Sequence, residues 1–136
     1  NTLIQLGLLP AVEEFIGMLQ DPSGVKIDFS LHDIPEIKAS ASIHVFRIIQ
    51  ELIHNTVKHA RAQNLKIEMF IKKDRLLLLS ADDGCGFNYN KKKNSGLGLN
   101  TIQYRVNLLE GIMQRRSVIG KGTAYHIDIP LSGIIK

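Results

Sequence analysis

The residues best suited to chemistry lie in four short stretches. "ELIHNTVKHA", Glu51 to Ala60, brings together a carboxylate, an amide, a cation and two imidazoles. "DDGCG", Asp82 to Gly86, sets acids beside closely spaced glycines, and "GLGL", Gly96 to Leu99, and "GKGT", Gly120 to Thr123, add further glycine pairs. At about 100° per residue, Glu51, Asn55 and Lys58 fall on one side of a helix, with His59 at the edge of the same wedge. Such a face suits a magnesium-bound phosphate. Asn55 offers a hard oxygen ligand for Mg²⁺, Lys58 a point charge for phosphate oxygens, and Glu51 a carboxylate to orient a nucleophile or a metal-bound water. The same stripe also fits an ordinary solvated helix surface.

Glycine lets a backbone approach a ligand closely and take positive φ. Gly96 and Gly98 stand just before a helix, whose free N–H groups and dipole favour an anion. Asp82 closes an apolar strand, where a carboxylate can accept a hydrogen bond from an exocyclic amine such as adenine N6. Two common phosphate motifs are absent. No G-x-x-x-x-G-K-[ST] occurs, and "GLGLNTI" is neither G-x-G-x-x-G nor set in a βαβ unit, which argues against P-loop and dinucleotide-binding folds. Taken singly, each glycine pair is explained as well by a hairpin turn or a helix start.

The elements that must position these groups follow from periodicity. "LLPAVEEFIGMLQ", residues 8–20, has helical spacing at Val12, Phe15, Ile16 and Leu19, and "DPSG", residues 21–24, is turn chemistry. "VKIDFSL", residues 25–31, alternates as a half-buried strand. A long helix is expected from about Ser42 to Ala60, capped by Ser40 or Ser42, with Val45, Ile49, Leu52, Ile53, Thr56 and Ala60 on its apolar face. "LKIEMFI" and "LLLLSA" form a hairpin, the second strand apolar enough to be covered on both faces. A helix over about residues 97–109 and two strands flanking Gly120-Lys121-Gly122 close the chain. This order predicts an α/β two-layer sandwich, a mixed and largely antiparallel sheet packed against about three helices.

Composition agrees with a single domain over residues 1–136. The chain has 44% apolar and 22% charged residues and one cysteine, Cys85, so no internal disulfide forms and a reducing compartment is expected. No apolar run is long enough to span a membrane. The formal charge of +4 suits an anionic ligand. Its Lys and Arg residues are spread along the chain without interleaved aromatics, so direct nucleic-acid binding is not expected. The start at Asn1 rather than Met suggests a piece of a longer protein.

The combination of stretches is more specific than its parts. It resembles the catalytic, ATP-binding domain of bacterial sensor histidine kinases, within the wider Bergerat-type ATPase family that includes gyrase and MutL. "ELIHNTVKHA" looks like the N-box, "DDGCG" like the D-x-G-x-G box, "GLGL" like the second glycine box and "GKGT" like the final G-x-G-T element, all in the family's order. "RIIQELIHNTVKHA" with "GLGLNTIQYRVNLLEG" is most similar to the subgroup whose regulators are of the NarL/LuxR type.

The resemblance implies roles. Asn55 would coordinate Mg²⁺, with Glu51 reaching it through water, and Lys58 and His59 would touch the phosphates. Asp82 would hold the adenine amine, directly and through a water shared with Thr123. Gly84 and Gly86 would let the base lie against the backbone. Residues 88–95 would form a short lid, closed by Gly96, Leu97, Gly98 and Leu99. Glu51 matches the carboxylate that activates water in gyrase-like members. The implied cofactors are ATP and Mg²⁺. The implied partners are an acceptor-His helical domain of the same parent and a response regulator. The implied location is the cytoplasm, within a parent that is either soluble or membrane-anchored.

A histidine kinase needs an acceptor histidine, usually followed by Asp or Glu. His32-Asp33 is such a pair, but Pro35 follows and the segment ends a strand, so the acceptor is expected on a separate domain. Glu110-Gly111 replaces the subgroup's Gly-Gly and is expected to alter only a turn. Cys85 reads as a small filler, Lys91 to Lys93 as a solvated lid, Arg105 as meeting a phosphate, a partner helix or a surface ion pair, Arg115-Arg116 as strand-edge protection and His126 as structural. Three alternatives remain: an anti-sigma-type serine kinase, a nucleotide-gated interaction module without transfer, and a gyrase-type clamp. The helix after the second glycine box argues against the first. The retained Asn55, Lys58 and Asp82 argue against the second, and the short lid against the third.

Overall fold

The structure is a computed structural model that describes residues 1–86 and 99–136. Its helices are α1 (Thr2–Leu6), α2 (Leu8–Ser23), α3 (Ala39–Asn55), which runs on into a π-helical turn (Thr56–Ala60), and α4 (Leu99–Leu108). Its strands are β1 (Lys26–His32), β2 (Asn64–Lys72), β3 (Arg75–Asp82), β4 (Ile112–Val118) and β5 (Gly122–Pro130). The sheet runs β1-β2-β3-β5-β4, with β1 parallel to β2 and every other pairing antiparallel. None of the described helices is long and apolar enough to cross a membrane.

The core follows from strand alternation and helix periodicity meeting at one layer. Leu65, Ile67 and Met69 of β2, Leu76 and Leu78 of β3, and Tyr125, Ile127 and Ile129 of β5 point inward. They meet Val45, Ile48, Ile49, Leu52 and Ile53 of α3, Val12 of α2, and Ile102 and Val106 of α4. Each large aliphatic side chain so buried contributes roughly 1.5–3 kcal/mol. α3 is therefore held along its whole length and can present the opposite stripe rigidly. The expected two-layer sandwich is the fold found.

Several local expectations are corrected. α3 starts at Ala39 with Lys38 in the cap position and no side-chain cap, so neither Ser40 nor Ser42 caps it. The Lys38 N–H instead donates to the Ile134 carbonyl at 2.7 Å, and Ile37 bridges Ile135, so pairing with the C-terminal segment sets the helix entry. Asp21 to Ser23 stay helical, because the stop is Gly24 at φ 73, whose N–H closes on the Gln20 carbonyl. Helices cover one face of β3, and on the other face burial reaches Leu77 alone. Leu76, Leu78 and Ser80 face the helices, whereas Leu79 is half-buried and Ala81 exposed on the outer face. The β2–β3 turn is the tight two-residue kind, with Lys73 and Asp74 both at positive φ. Helix α1 was not anticipated, and Leu97, the expected first residue of α4, lies outside the described residues.

The ends of β3 and β5 interlock backbone to backbone. Gly122, at φ 114, sits so close to β3 that a Cβ there would lie 2.1 Å from the Asp82 carbonyl oxygen. Gly86, at φ 67, is against the β4–β5 hairpin, where a Cβ would lie 2.2 Å from the Val118 carbonyl oxygen. The Gly120 N–H donates to the Cys85 carbonyl at 2.6 Å and ties the same two loops together. Gly122→Ala is expected to lower unfolding stability by about 2–4 kcal/mol, because strained φ and a backbone clash coincide. Gly17→Ala, in open space on α2, should instead raise it by roughly 0.5–1 kcal/mol. Urea denaturation of both variants checks the contrast.

Candidate functional site

Asp82, the last residue of β3, is the centre of the site. Its Oδ1 accepts from the Gly84 N–H at 2.8 Å and the Thr123 N–H at 3.3 Å. Its Oδ2 faces the Thr56 hydroxyl at 3.5 Å. Thr56 also donates to the Leu52 carbonyl at 3.2 Å, so α3 and β3 meet through one hydroxyl. Thr123 in turn shares a 2.8 Å hydrogen bond with Ser117 on β4. Burial pushes the Asp82 carboxyl above its ordinary value, and the Gly84 and Thr123 N–H groups pull it partly back.

Asp83 has a different task. Its carboxylate accepts from the Gln63 and Asn64 N–H groups at 2.9 and 2.8 Å and from the Asn64 amide at 2.8 Å. These bonds hold its carboxyl below the ordinary value and pin the loop after β3 to the start of β2. The two adjacent acids are thus divided between one that faces the site and one that anchors its loop.

Asn55 is half-buried at the last position of α3, where its Nδ2 is buried and meets no acceptor among the described residues. Its amide lies beside the buried Tyr125. Burial raises the Tyr125 phenol, and Arg115, Asn55 and Arg115 again, through hydrogen bonding, draw it back down. Asn55 is near enough to act on that phenol, yet its Nδ2 lacks a bond of proper geometry. Glu51 is half-buried one turn earlier, and Lys58 and His59 are exposed on the π-helical turn. The i→i+5 winding turns each residue by a smaller angle than an α-helix does, so Lys58 and His59 do not continue the stripe in α-helical phase; such turns are frequent at functional sites.

The structure therefore brings Asn55, Asp82, Gly84 and Thr123 together, with Gly86 in the loop beside them. Gly96, Leu97 and Gly98 lie outside the described residues, as do Lys91 to Lys93, and Leu99 is described only as the first residue of α4. Cys85 is exposed, with Sγ 3.7 Å from the His59 carbonyl, and is not a packed filler. Among the described residues Arg105 meets no carboxylate; its Nη1 donates to His44 Nδ1 at 2.9 Å. β4 is an edge strand, as Arg115-Arg116 suggested, but Arg115 turns inward towards Tyr125 while Arg116 stays exposed. His32 ends β1, 3.7 Å from Glu68. His126 is exposed on the outer sheet face. Glu110 takes φ 57, the conformation for which the subgroup's glycine is suited.

Reading the sequence missed Thr56, Ser117 and Tyr125. Thr56 had been placed on the apolar face, and it is buried there, but its hydroxyl is what reaches Asp82. Strand alternation from Thr123 would have placed Tyr125 on the same face of β5.

Known proteins share this chain's family and its fold. The family described as "Histidine kinase-, DNA gyrase B-, and HSP90-like ATPase" matches residues 40–133. The chain is 35% identical over 137 residues to the signal transduction histidine-protein kinase/phosphatase DegS of Bacillus subtilis, covering 96% of this chain and 36% of that protein. It is 30% identical over 130 residues to the sensor histidine kinase LiaS of the same species, again covering 96% and 36%. The chain thus spans little more than a third of the length of these relatives. Among solved structures, the blue-light activated histidine kinase of Erythrobacter litoralis EL346 has a TM-score of 0.77 at 18% identity, over 89% of this chain and 41% of that one. Full-length ShkA in complex with AMPPNP has a TM-score of 0.75 at 20% identity, over 91% and 29%. These two likenesses are of fold.

The Asp82 environment makes stability depend on pH. An unfolded Asp titrates near 3.8, and the folded carboxyl holds its proton to higher pH. The folded state therefore binds more protons between those two values, and stability falls as pH rises through that window. Asp82→Asn removes the buried charge. It is expected to raise the melting temperature of the ligand-free chain at neutral pH, and the gain should vanish below pH 3.8. A lower melting temperature for Asp82→Asn at neutral pH would mean that the bonds from Gly84 and Thr123 outweigh the cost of burial.

Proposed function

The chain belongs to the histidine kinase-, DNA gyrase B- and HSP90-like ATPase family, and on that premise we propose that it is the ATP-binding catalytic domain of a sensor histidine kinase. It binds Mg-ATP and donates the γ-phosphoryl group to a histidine on a separate helical domain of the same parent protein. That phosphoryl group then passes to a response regulator of the NarL/LuxR type. The observation that carries this reading is the Asp82 carboxylate, held at the site by Gly84 and Thr123 with Oδ2 on the Thr56 side. It is an acceptor suited to a single exocyclic amine, as adenine presents at N6.

Asn55 supports the other half of the reading. Nδ2 is the buried end of its amide and lies on the side of the Tyr125 phenol, which leaves the other end for a ligand. Oδ1, the acceptor end of the amide, is thus the atom left to meet a hard cation. No group of three or more His, Cys, Asp or Glu that could hold a metal occurs among the described residues. That fits Mg²⁺, which takes one or two protein ligands and fills its remaining positions with water and phosphate oxygens. Bound there, Mg²⁺ would neutralise the β- and γ-phosphate oxygens.

The chain's own residues would position and stabilise. Asp82 and Thr123 fix the adenine, Gly84 shapes the loop beside it, and Lys58 and His59 meet phosphate oxygens from the π-helical turn. The leading end of α4 turns its free N–H groups towards the phosphates. Glu51 acts through water, one turn from Asn55. The acceptor imidazole nitrogen attacks the γ-phosphorus, the bond to the β,γ-bridging oxygen breaks, and ADP leaves. Catalysis of this kind is mainly alignment and charge stabilisation.

Two results are expected. ATP should bind about ten- to a hundredfold more tightly than GTP, whose carbonyl would face Asp82 where an amine is needed. Equal affinities by calorimetry would overturn the adenine assignment. Asn55→Ala should weaken ATP binding only when Mg²⁺ is present, whereas Asp82→Asn should weaken it with or without the metal. An Asn55→Ala variant with an unchanged Mg²⁺ dependence would show the helix stripe to be a solvated face.

A further inference from the structure

α3 and α4 share one core, in which Ile102 and Val106 of α4 lie with Ile48, Ile49 and Leu52 of α3. Apolar contact of this kind is non-directional, so it holds the helices together without fixing how far one slides along the other. A directional contact also links them. Arg105 Nη1 lies 2.9 Å from His44 Nδ1. Arginine only donates, so His44 Nδ1 is the acceptor of this bond. His44 stands eleven residues before Asn55. At 3.6 residues per turn the two fall on one stripe of α3, about 20° apart around the axis and roughly 16 Å apart along it.

A second observation separates this contact from simple packing. Arg105 Nε is buried and meets no acceptor among the described residues. An arginine there is a poor choice for stability alone, because a Met of similar length fills the space without leaving a buried donor unanswered.

We infer that Arg105 is a positioning residue for the nucleotide site: by its bond to His44 it sets the axial register of α4 on α3, and so the distance between the leading end of α4 and Asn55. The inference rests on the reading above that the leading end of α4 faces the phosphates. Arg105 itself is six residues, roughly 9 Å, along α4 from Leu99, so it acts through the helix and does not touch the nucleotide. Register matters for the phosphates, which lie between the two helices, and not for adenine, which is held by Asp82 and Thr123 at the ends of β3 and β5.

The test compares ATP with adenosine on the same chain by calorimetry, with melting temperatures alongside. Arg105→Met and His44→Leu should each weaken Mg-ATP by about tenfold while changing adenosine by less than about twofold. The melting temperature of Arg105→Met should not fall. His44→Gln, which keeps an acceptor, should stay within about threefold of the unmodified chain for Mg-ATP. Unchanged ATP affinity in Arg105→Met and His44→Leu would overturn the inference. So would a loss for ATP and adenosine alike in step with a lower melting temperature, or a His44→Gln as weak as His44→Leu. Failure of the unmodified chain to bind either ligand is a different result, which removes the nucleotide reading and this inference with it.

Discussion

Everything at the site depends on how closely two stretches of backbone approach at the ends of β3 and β5. Gly122 leaves no room for a side chain against the Asp82 carbonyl, and Gly86 leaves none against that of Val118. With the Gly120 to Cys85 bond, these contacts fold the loop after β3 onto the β4–β5 hairpin and bring the Thr123 N–H to the Asp82 carboxylate. Gly86, which looked in sequence like space for a ligand, and Gly122, read as part of a hairpin turn, are both space for the protein's own chain. Their effect on the ligand is indirect: they fix the carboxylate that would meet the base.

A second layer of support comes from α3. Its apolar side is sunk in the core along its length, which makes the opposite side a rigid platform. Thr56 marks where platform and sheet meet, bonded at once to the helix carbonyl of Leu52 and facing Asp82. The amide of Asn55 and the carboxylate of Asp82 are thus supplied by a helix end and a strand end, each held by burial.

Much of this was legible in the sequence, and the rest was not for definable reasons. The fold class and the face carrying Glu51 and Asn55 followed from periodicity, because both are local patterns. Asp82 followed from its place at the end of an apolar run. The reasons for Gly86 and Gly122 were hidden because the atoms that crowd them lie more than thirty residues away in the chain. The Arg105–His44 contact is longer-range still. The missing serine cap on α3 reflects a tertiary pairing with the C-terminal segment that replaces a local signal. "LLLLSA" promised two covered faces; helices cover one, and on the other Leu77 is buried while Leu79 is only half-buried. Cys85, expected to be packed, is exposed because the loop is held by its backbone and by Asp83.

The central claim is that this domain donates a phosphoryl group to a histidine elsewhere. The most direct measurement incubates the chain with γ-labelled Mg-ATP, alone and with the helical domain of its parent protein, and determines where the label goes. The account predicts an acid-labile, alkali-stable phosphate on a histidine of the helical domain and none on this chain. Label retained on this chain, or ATP consumed to free phosphate with no phosphoprotein formed, would contradict it.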